Sequence, residues 1–142
     1  MCHGLPGMLK QNQYCPCGRL NGKRALSYAL CCGRYLDHFE TTPAPDAESL
    51  MRSRYTAFVL ERDCYLRDTW LAEKCPDLLA VEPDVKWLGL EVRAHRQLDA
   101  DHAEVEFVAR NRLQGRASRL HETSRFVRLA GRWLYVDGVV RP

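Results

Sequence analysis

The sequence lacks any run approaching the 18 or so consecutive apolar residues that a membrane-spanning helix needs, so no helical membrane protein is expected. The N-terminus, Met1-Cys2-His3-Gly4-Leu5-Pro6-Gly7, has no basic segment leading into an apolar run, so no secretory leader is read there. Charge of one sign is also scarce: the net charge at pH 7 is +3, with 27% charged and 46% hydrophobic residues. These are ordinary globular proportions, and they argue against disorder, a collagen-like fibre and a strongly basic nucleic-acid binder. Internal repeats, low-complexity tracts, phosphate-cradling loops and metal-hydrolase motifs are missing. So is a CxxC pair beside a βαβ unit, the usual mark of a thiol redox centre. With 142 residues the chain is one domain, or one domain with a small appendage, and large enough to fold without disulfides.

Cysteine is what the chain has in excess, at seven residues. An odd count argues against a closed disulfide framework. Four of the seven lie between Cys15 and Cys32, while Cys2, Cys64 and Cys75 are scattered, the last two reading as ordinary helix and loop residues. In a soluble, reducing, cytoplasmic setting, which is the expected one, thiols serve as ligands more often than as bridges. Cys15-Pro16-Cys17-Gly18 and Cys31-Cys32-Gly33 supply four thiols in two pairs, the number a tetrahedral structural zinc site requires. Both spacings are tighter than the usual zinc-finger gap, so spacing alone leaves open whether each pair reaches one ion. Unpaired cysteines in a flexible arm are the alternative, and His3 and His38 are reserve ligands.

Three zones follow along the chain. Residues 1–13 read as a loose Gly-, Gln- and Asn-rich tail in which Met8 is a second candidate start. Residues 14–40 form a loop-rich arm too short for a core of its own, needing a staple or a surface to lean on. Thr41-Thr42-Pro43-Ala44-Pro45 then breaks any helix, and residues 46–142 make the main domain. Asp46 is a good N-cap for a helix from Ala47 to Leu60 with Met51, Tyr55, Phe58 and Val59 on one face. A second helix is expected from Cys64 to Ala72, capped by Asp63, and a short helical turn over Pro76 to Val81. Alternation then predicts four strands, over Trp87–Leu98, Ala103–Leu113, Ser118–Leu129 and Arg132–Val136. In the first of these, Leu88, Leu90, Val92 and Ala94 are opposed by Trp87, Glu91, Arg93 and His95. Helices followed by an antiparallel meander make an α+β fold.

Tyr14-Cys15-Pro16-Cys17-Gly18 followed by Cys31-Cys32-Gly33-Arg34-Tyr35 resembles the SEC-C motif, a small zinc-binding element also found in the SecA translocation ATPase. The rest resembles the YchJ family of bacterial proteins. The matching strings include Leu50-Met51-Arg52-Ser53-Arg54-Tyr55, Trp87-Leu88-Gly89-Leu90, His121-Glu122-Thr123-Ser124-Arg125-Phe126 and Gly131-Arg132-Trp133-Leu134-Tyr135-Val136-Asp137-Gly138. The resemblance implies a cystatin-like, nuclear-transport-factor-like cone of helices on a curved antiparallel sheet, with zinc on Cys15, Cys17, Cys31 and Cys32 of a small N-terminal arm. It implies no particular reaction. The chain departs from the motif in a longer linker between the pairs, Gly18 to Leu30, and in Arg19 where the motif usually has Ser. A longer loop costs only a fraction of a kcal/mol. Longer family members also carry a second SEC-C motif at the C-terminus, which this sequence lacks.

Cones of this kind enclose cavities, and Arg54, Tyr55, Trp70, His121, Glu122, Arg125 and Asp137 are the candidate pocket residues, with Glu122, Arg125 and Asp137 foremost. His121 and Glu122 are neighbours on a strand and point to opposite faces, which disfavours an acid–base pair. With no nucleophile or catalytic motif, the first expectation is a non-enzymatic adaptor. Its arm, made basic by Arg19, Lys23, Arg24 and Arg34, would dock an acidic protein partner. The second is small-molecule binding or catalysis in the cone cavity.

Overall fold

The computed structural model describes residues 11–77 and 84–141. Cys2, His3 and Met8, and most of the helical turn expected over 76–81, lie outside the described residues. The elements run β1 (Leu20–Asn21), β2 (Arg24–Ala25), a 3-10 turn (Tyr28–Leu30), α1 (Gly33–Leu36), α2 (Ala47–Val59), α3 (Asp63–Asp68), β3 (Val85–Asp99), β4 (His102–Leu113), β5 (Arg116–Leu129) and β6 (Arg132–Arg141). The last four form an antiparallel sheet in the order β3-β4-β5-β6, and α2 packs against it with α1 and α3 beside α2. This is the α+β layout expected. Among the described residues no helix is long and apolar enough to cross a membrane.

Helix α2 begins where its cap places it: Asp46 Oδ1 accepts the N–H of Ser49 at 2.7 Å. Its buried Leu50, Met51, Tyr55 and Ala57 join Val105, Phe107, Ala109 and Phe126 of the sheet in one core. Helix α3 is shorter than expected and Asp63 sits in its first turn instead of capping it. The chain leaves the helix at Thr69 because β6 captures its backbone. Tyr135 N–H donates to Thr69 O and Leu71 N–H donates to Tyr135 O, both at 2.8 Å. Cys64, on α3, is disulfide-bonded and not the ordinary helix thiol expected, since pairing depends on tertiary proximity that spacing does not reveal. Cys75 is free.

The strands run further than their alternation suggests, and their faces are reset by bulges. A register shift between Trp87 and Gly89 turns Trp87 inward beside Leu90 and Val92, where it packs edge-on to Tyr55 at 5.7 Å between centroids. Leu88, expected on the inward face, is left 44% exposed. Strand β6 continues past Val136 to Arg141, with an irregularity opposite Arg125/Phe126 that pairs Phe126 with Tyr135 and Arg125 with Asp137.

Candidate functional site

The arm folds back on itself and lies on α2. Gly18 takes φ 73 in a turn closed by its N–H donating to Cys15 O at 3.1 Å, a conformation that favours glycine. The longer linker between the cysteine pairs is the β1–β2 hairpin, with Leu20 opposite Ala25. Below it Cys15 N–H donates to Leu26 O at 2.9 Å, and Tyr14 bridges Ser27. The second pair is presented by Tyr28, fully buried with its hydroxyl donating to Asp37 Oδ1 at 3.1 Å, and by the start of α1. Gly33 is required there, because a Cβ would lie 2.7 Å from Tyr28 O.

These contacts bring Cys15, Cys17, Cys31 and Cys32 together, all buried, with their four sulfurs within 4.8 Å of one another. Cys17 and Cys31 sulfurs are 3.5 Å apart. A tetrahedron of thiolates at about 2.3 Å from a zinc-like ion has sulfur–sulfur edges of about 3.8 Å, so the donor set fits one metal ion. The thiols perturb one another strongly. Hydrogen bonds from Cys17, then Cys31 and Cys32, hold Cys15 well below the ordinary thiol range, and hydrogen bonding to Cys15 first of all pushes Cys32 well above it. Four negative charges so close need a cation to coexist.

Helix α2 supports this centre. Arg52 Nη1 donates to Cys17 O at 3.1 Å, and Cys15 Sγ lies 3.7 Å from Thr56 Oγ1. His38, a reserve ligand, is exposed and outside the cluster. Two of the arm's four basic residues are engaged internally: Arg19 donates to Ser49 Oγ at 2.9 Å and Arg34 to Cys31 O at 3.0 Å. Lys23 and Arg24 are exposed.

Arg52 and Arg54 are two residues apart, about 200° around the helix, so Arg54 faces away from the thiols into a cavity of about 300 Å³ between α2 and the sheet. Four of the candidate pocket residues line it: Arg54, Tyr55, Trp70 and Glu122. The other three do not. Arg125 and Asp137 form a bidentate pair at 2.6 Å outside the cavity, with Arg125 57% exposed, and Arg125 holds the Asp137 carboxyl below its usual range. The placement follows from alternation, which sets residue 125 opposite 122, and from the β6 irregularity that carries Asp137 with it. His121 sits at 2.7 Å from Glu106, also outside the cavity. The cavity is also lined by Ser124, Phe126 and Tyr135, none of them among the residues expected from the sequence. For Ser124 the signal was available, since it shares strand parity with Glu122.

The sequence profile described as "YchJ, middle NTF2-like domain" matches residues 46–138. A UPF0225 protein of a Polaromonas species is 63% identical over 139 residues, covering 96% of this chain and all of that one. Another, from Bordetella pertussis, is 54% identical over 130 residues, covering 89% and 92%. Among solved structures, a SEC-C motif containing protein from Psychrobacter arcticus matches with a TM-score of 0.77 at 34% identity, covering 95% of this chain and 86% of that one. A SEC-C motif containing protein from Rhodopseudomonas palustris matches at 0.76 and 31%, covering 92% and 100%.

Proposed function

The chain belongs to the YchJ family of UPF0225 proteins, and on that premise we propose that it is a zinc-stapled binding protein. Cys15, Cys17, Cys31 and Cys32 would hold the ion, with the exposed edge of the arm recognising an acidic protein partner. The observation that carries the reading is the burial of four sulfurs within 4.8 Å of one another. An all-thiolate, enclosed donor set leaves no open position for substrate, which is the pattern of a structural site. When bound, zinc supplies folding energy and no reactivity. The chain's own residues then fix the arm: Arg52 grips the Cys17 carbonyl and Arg62 pairs with Asp37 at 3.1 Å.

The docking edge consists of Lys23 and Arg24 at the hairpin, since Arg19 and Arg34 are committed to Ser49 and to the Cys31 carbonyl. Elemental analysis of freshly purified protein tests the metal, with about one equivalent of zinc expected for one four-ligand site. Less than about half an equivalent with all thiols freely titratable refutes it. For the edge, affinity capture compares wild type with Lys23→Glu/Arg24→Glu. An acidic partner lost from the double variant supports docking there, and one retained equally refutes it.

A further inference from the structure

The cavity on the far side of α2 is built from different residues and contains no thiol. Its walls are aromatic, from Tyr55, Phe58, Trp70, Trp87, Phe126 and Tyr135. Two charged side chains line it, Arg54 and Glu122; each feels the other's charge, yet neither forms a salt bridge with a described residue. Arg54 is 6% exposed, and its Nη1 donates to Leu66 O at 2.7 Å and Thr69 Oγ1 at 2.8 Å. Its Nε and Nη2 donate to nothing among the described residues, and no carboxylate comes within ion-pairing distance. Instead the guanidinium lies 4.6 Å from the Tyr135 ring centroid and 5.1 Å from that of Trp70. Burial brings its pKa down to about 10, the direction expected of a cation short of compensating charge. Glu122 offsets part of that charge from within the cavity but does not touch it, and a buried guanidinium whose direct contacts are neutral acceptors and ring faces gains when an anion meets it.

Glu122 lies at the hydroxyl end of Tyr135. Its Oε2 accepts from Ser124 Oγ at 2.5 Å and from the Tyr135 hydroxyl at 3.3 Å, and Oε1 accepts from nothing among the described residues. The fold makes room for this carboxylate: a Cβ at Gly138 would collide with it. Tyr135 thus has a cation over its ring and an anion at its hydroxyl. The cavity offers charged donors at one place, a carboxylate acceptor at another and aromatic surface between.

We propose that this cavity binds a small aromatic carboxylate bearing a hydrogen-bond donor. Arg54 takes the ligand's carboxylate through Nε and Nη2, the walls take its ring, and Glu122 Oε1 accepts from the donor. Charge selects the class. A cation drawn to Glu122 must lie in the field of Arg54 and leaves its Nε and Nη2 without an acceptor, and a neutral ring does the same. Volume selects the size, because about 300 Å³ is the low end of ligand sites and suits one or two rings better than a nucleotide or a lipid.

The test titrates the intact protein with three molecules of one shape: 4-hydroxyphenylacetate, its neutral amide, and the cation tyramine, by calorimetry and amide NMR. Saturable binding of the acid is expected, at least ~10-fold tighter than the amide, the worth of one charge-assisted contact, with shifts centred on Arg54, Trp70 and Tyr135. Tyramine should not saturate below about 5 mM, where affinity amounts to very little. Arg54→Met should erase the preference for acid over amide. Because that variant risks misfolding, Glu122→Gln is the second arm and should reduce the preference for 4-hydroxyphenylacetate over phenylacetate. Equal affinity for acid and amide, no saturation by the acid, or shifts mapping away from Arg54, Trp70 and Tyr135 would each overturn the proposal.

Discussion

Arg52 reaches in two directions at once, donating from Nη1 to the carbonyl of Cys17 at 3.1 Å and from Nε to Glu48 at 2.8 Å on its own helix. One α2 side chain therefore fastens the first cysteine pair to the body. Arg52→Ala is expected to lower stability by about 1–3 kcal/mol, the cost of losing a part-buried charged donor. It should also speed metal release to a chelator. Thermal melts and a colorimetric release assay check both, and a variant unchanged in each would show that Arg52 is not the fastening.

Replacing one ligand should undo the centre as a whole, because a buried ion held by three thiolates gains an open face. Cys17→Ser is expected to reduce bound metal below about half an equivalent and lower the melting temperature by at least about 5 °C. Full metal retention in Cys17→Ser and again in Cys32→Ser would count against a four-sulfur site.

Gly33→Ala reverses the usual rule for a helix. Alanine there should gain about 1 kcal/mol by propensity, yet its Cβ would lie 2.7 Å from Tyr28 O and 2.8 Å from the Tyr28 ring. The backbone oxygen cannot swing away, so net destabilisation of about 1–3 kcal/mol is expected, read by denaturant unfolding. A neutral or stabilising change would mean the arm is looser than its contacts imply.

Gly138→Ala meets the movable end of a side chain and not backbone. Stability should change by less than about 1 kcal/mol, while the Glu122 carboxylate is displaced from Ser124 and Tyr135. The expected signature is an intact melt with NMR shifts at Ser124 and Tyr135, and unaltered resonances at both would contradict it.

The Arg125–Asp137 pair should register at low pH. Asp137 is held below its usual range by Arg125, so its contribution is present at neutral pH and disappears as pH falls through the lowered folded-state pKa. The pair is exposed, so less than about 1 kcal/mol is expected. Wild type should exceed Asp137→Asn in stability at pH 7 and converge with it below about pH 3, under the unfolded carboxyl value near about 3.9. A gap that persists in acid would point to another cause.

What the sequence made legible was what is local. Asp46, with the periodic apolar face behind it, announces α2, and period-two alternation announces the meander. The four cysteines stand out by count and clustering. What escaped depends on distant partners. Helix α3 ends early because Tyr135, far along the chain, hydrogen-bonds Thr69 and Leu71. Strand β6 outlasts its pattern because Val139, Val140 and Arg141 go on pairing with Thr123, Glu122 and His121 of β5. The inward turn of Trp87 rests on a bulge that no alternation count shows. In the cavity, Arg54 and Glu122 were identifiable as charged residues in specific strings, whereas the separation of Arg125 and Asp137 from them needed strict parity on β5 and the irregularity in β6.

The hairpin between the two cysteine pairs has a bearing on how such proteins diversify. Leu20 and Ala25 face each other across its base, and Asn21, Gly22, Lys23 and Arg24 project from it in the open. Residues added or removed at that tip lengthen or shorten a protrusion while the ends stay in register, so the sulfurs below need not move. Selection can therefore rewrite the tip, in length and in charge, without renegotiating the four-cysteine cluster, as antibody frameworks carry variable loops on a constant base.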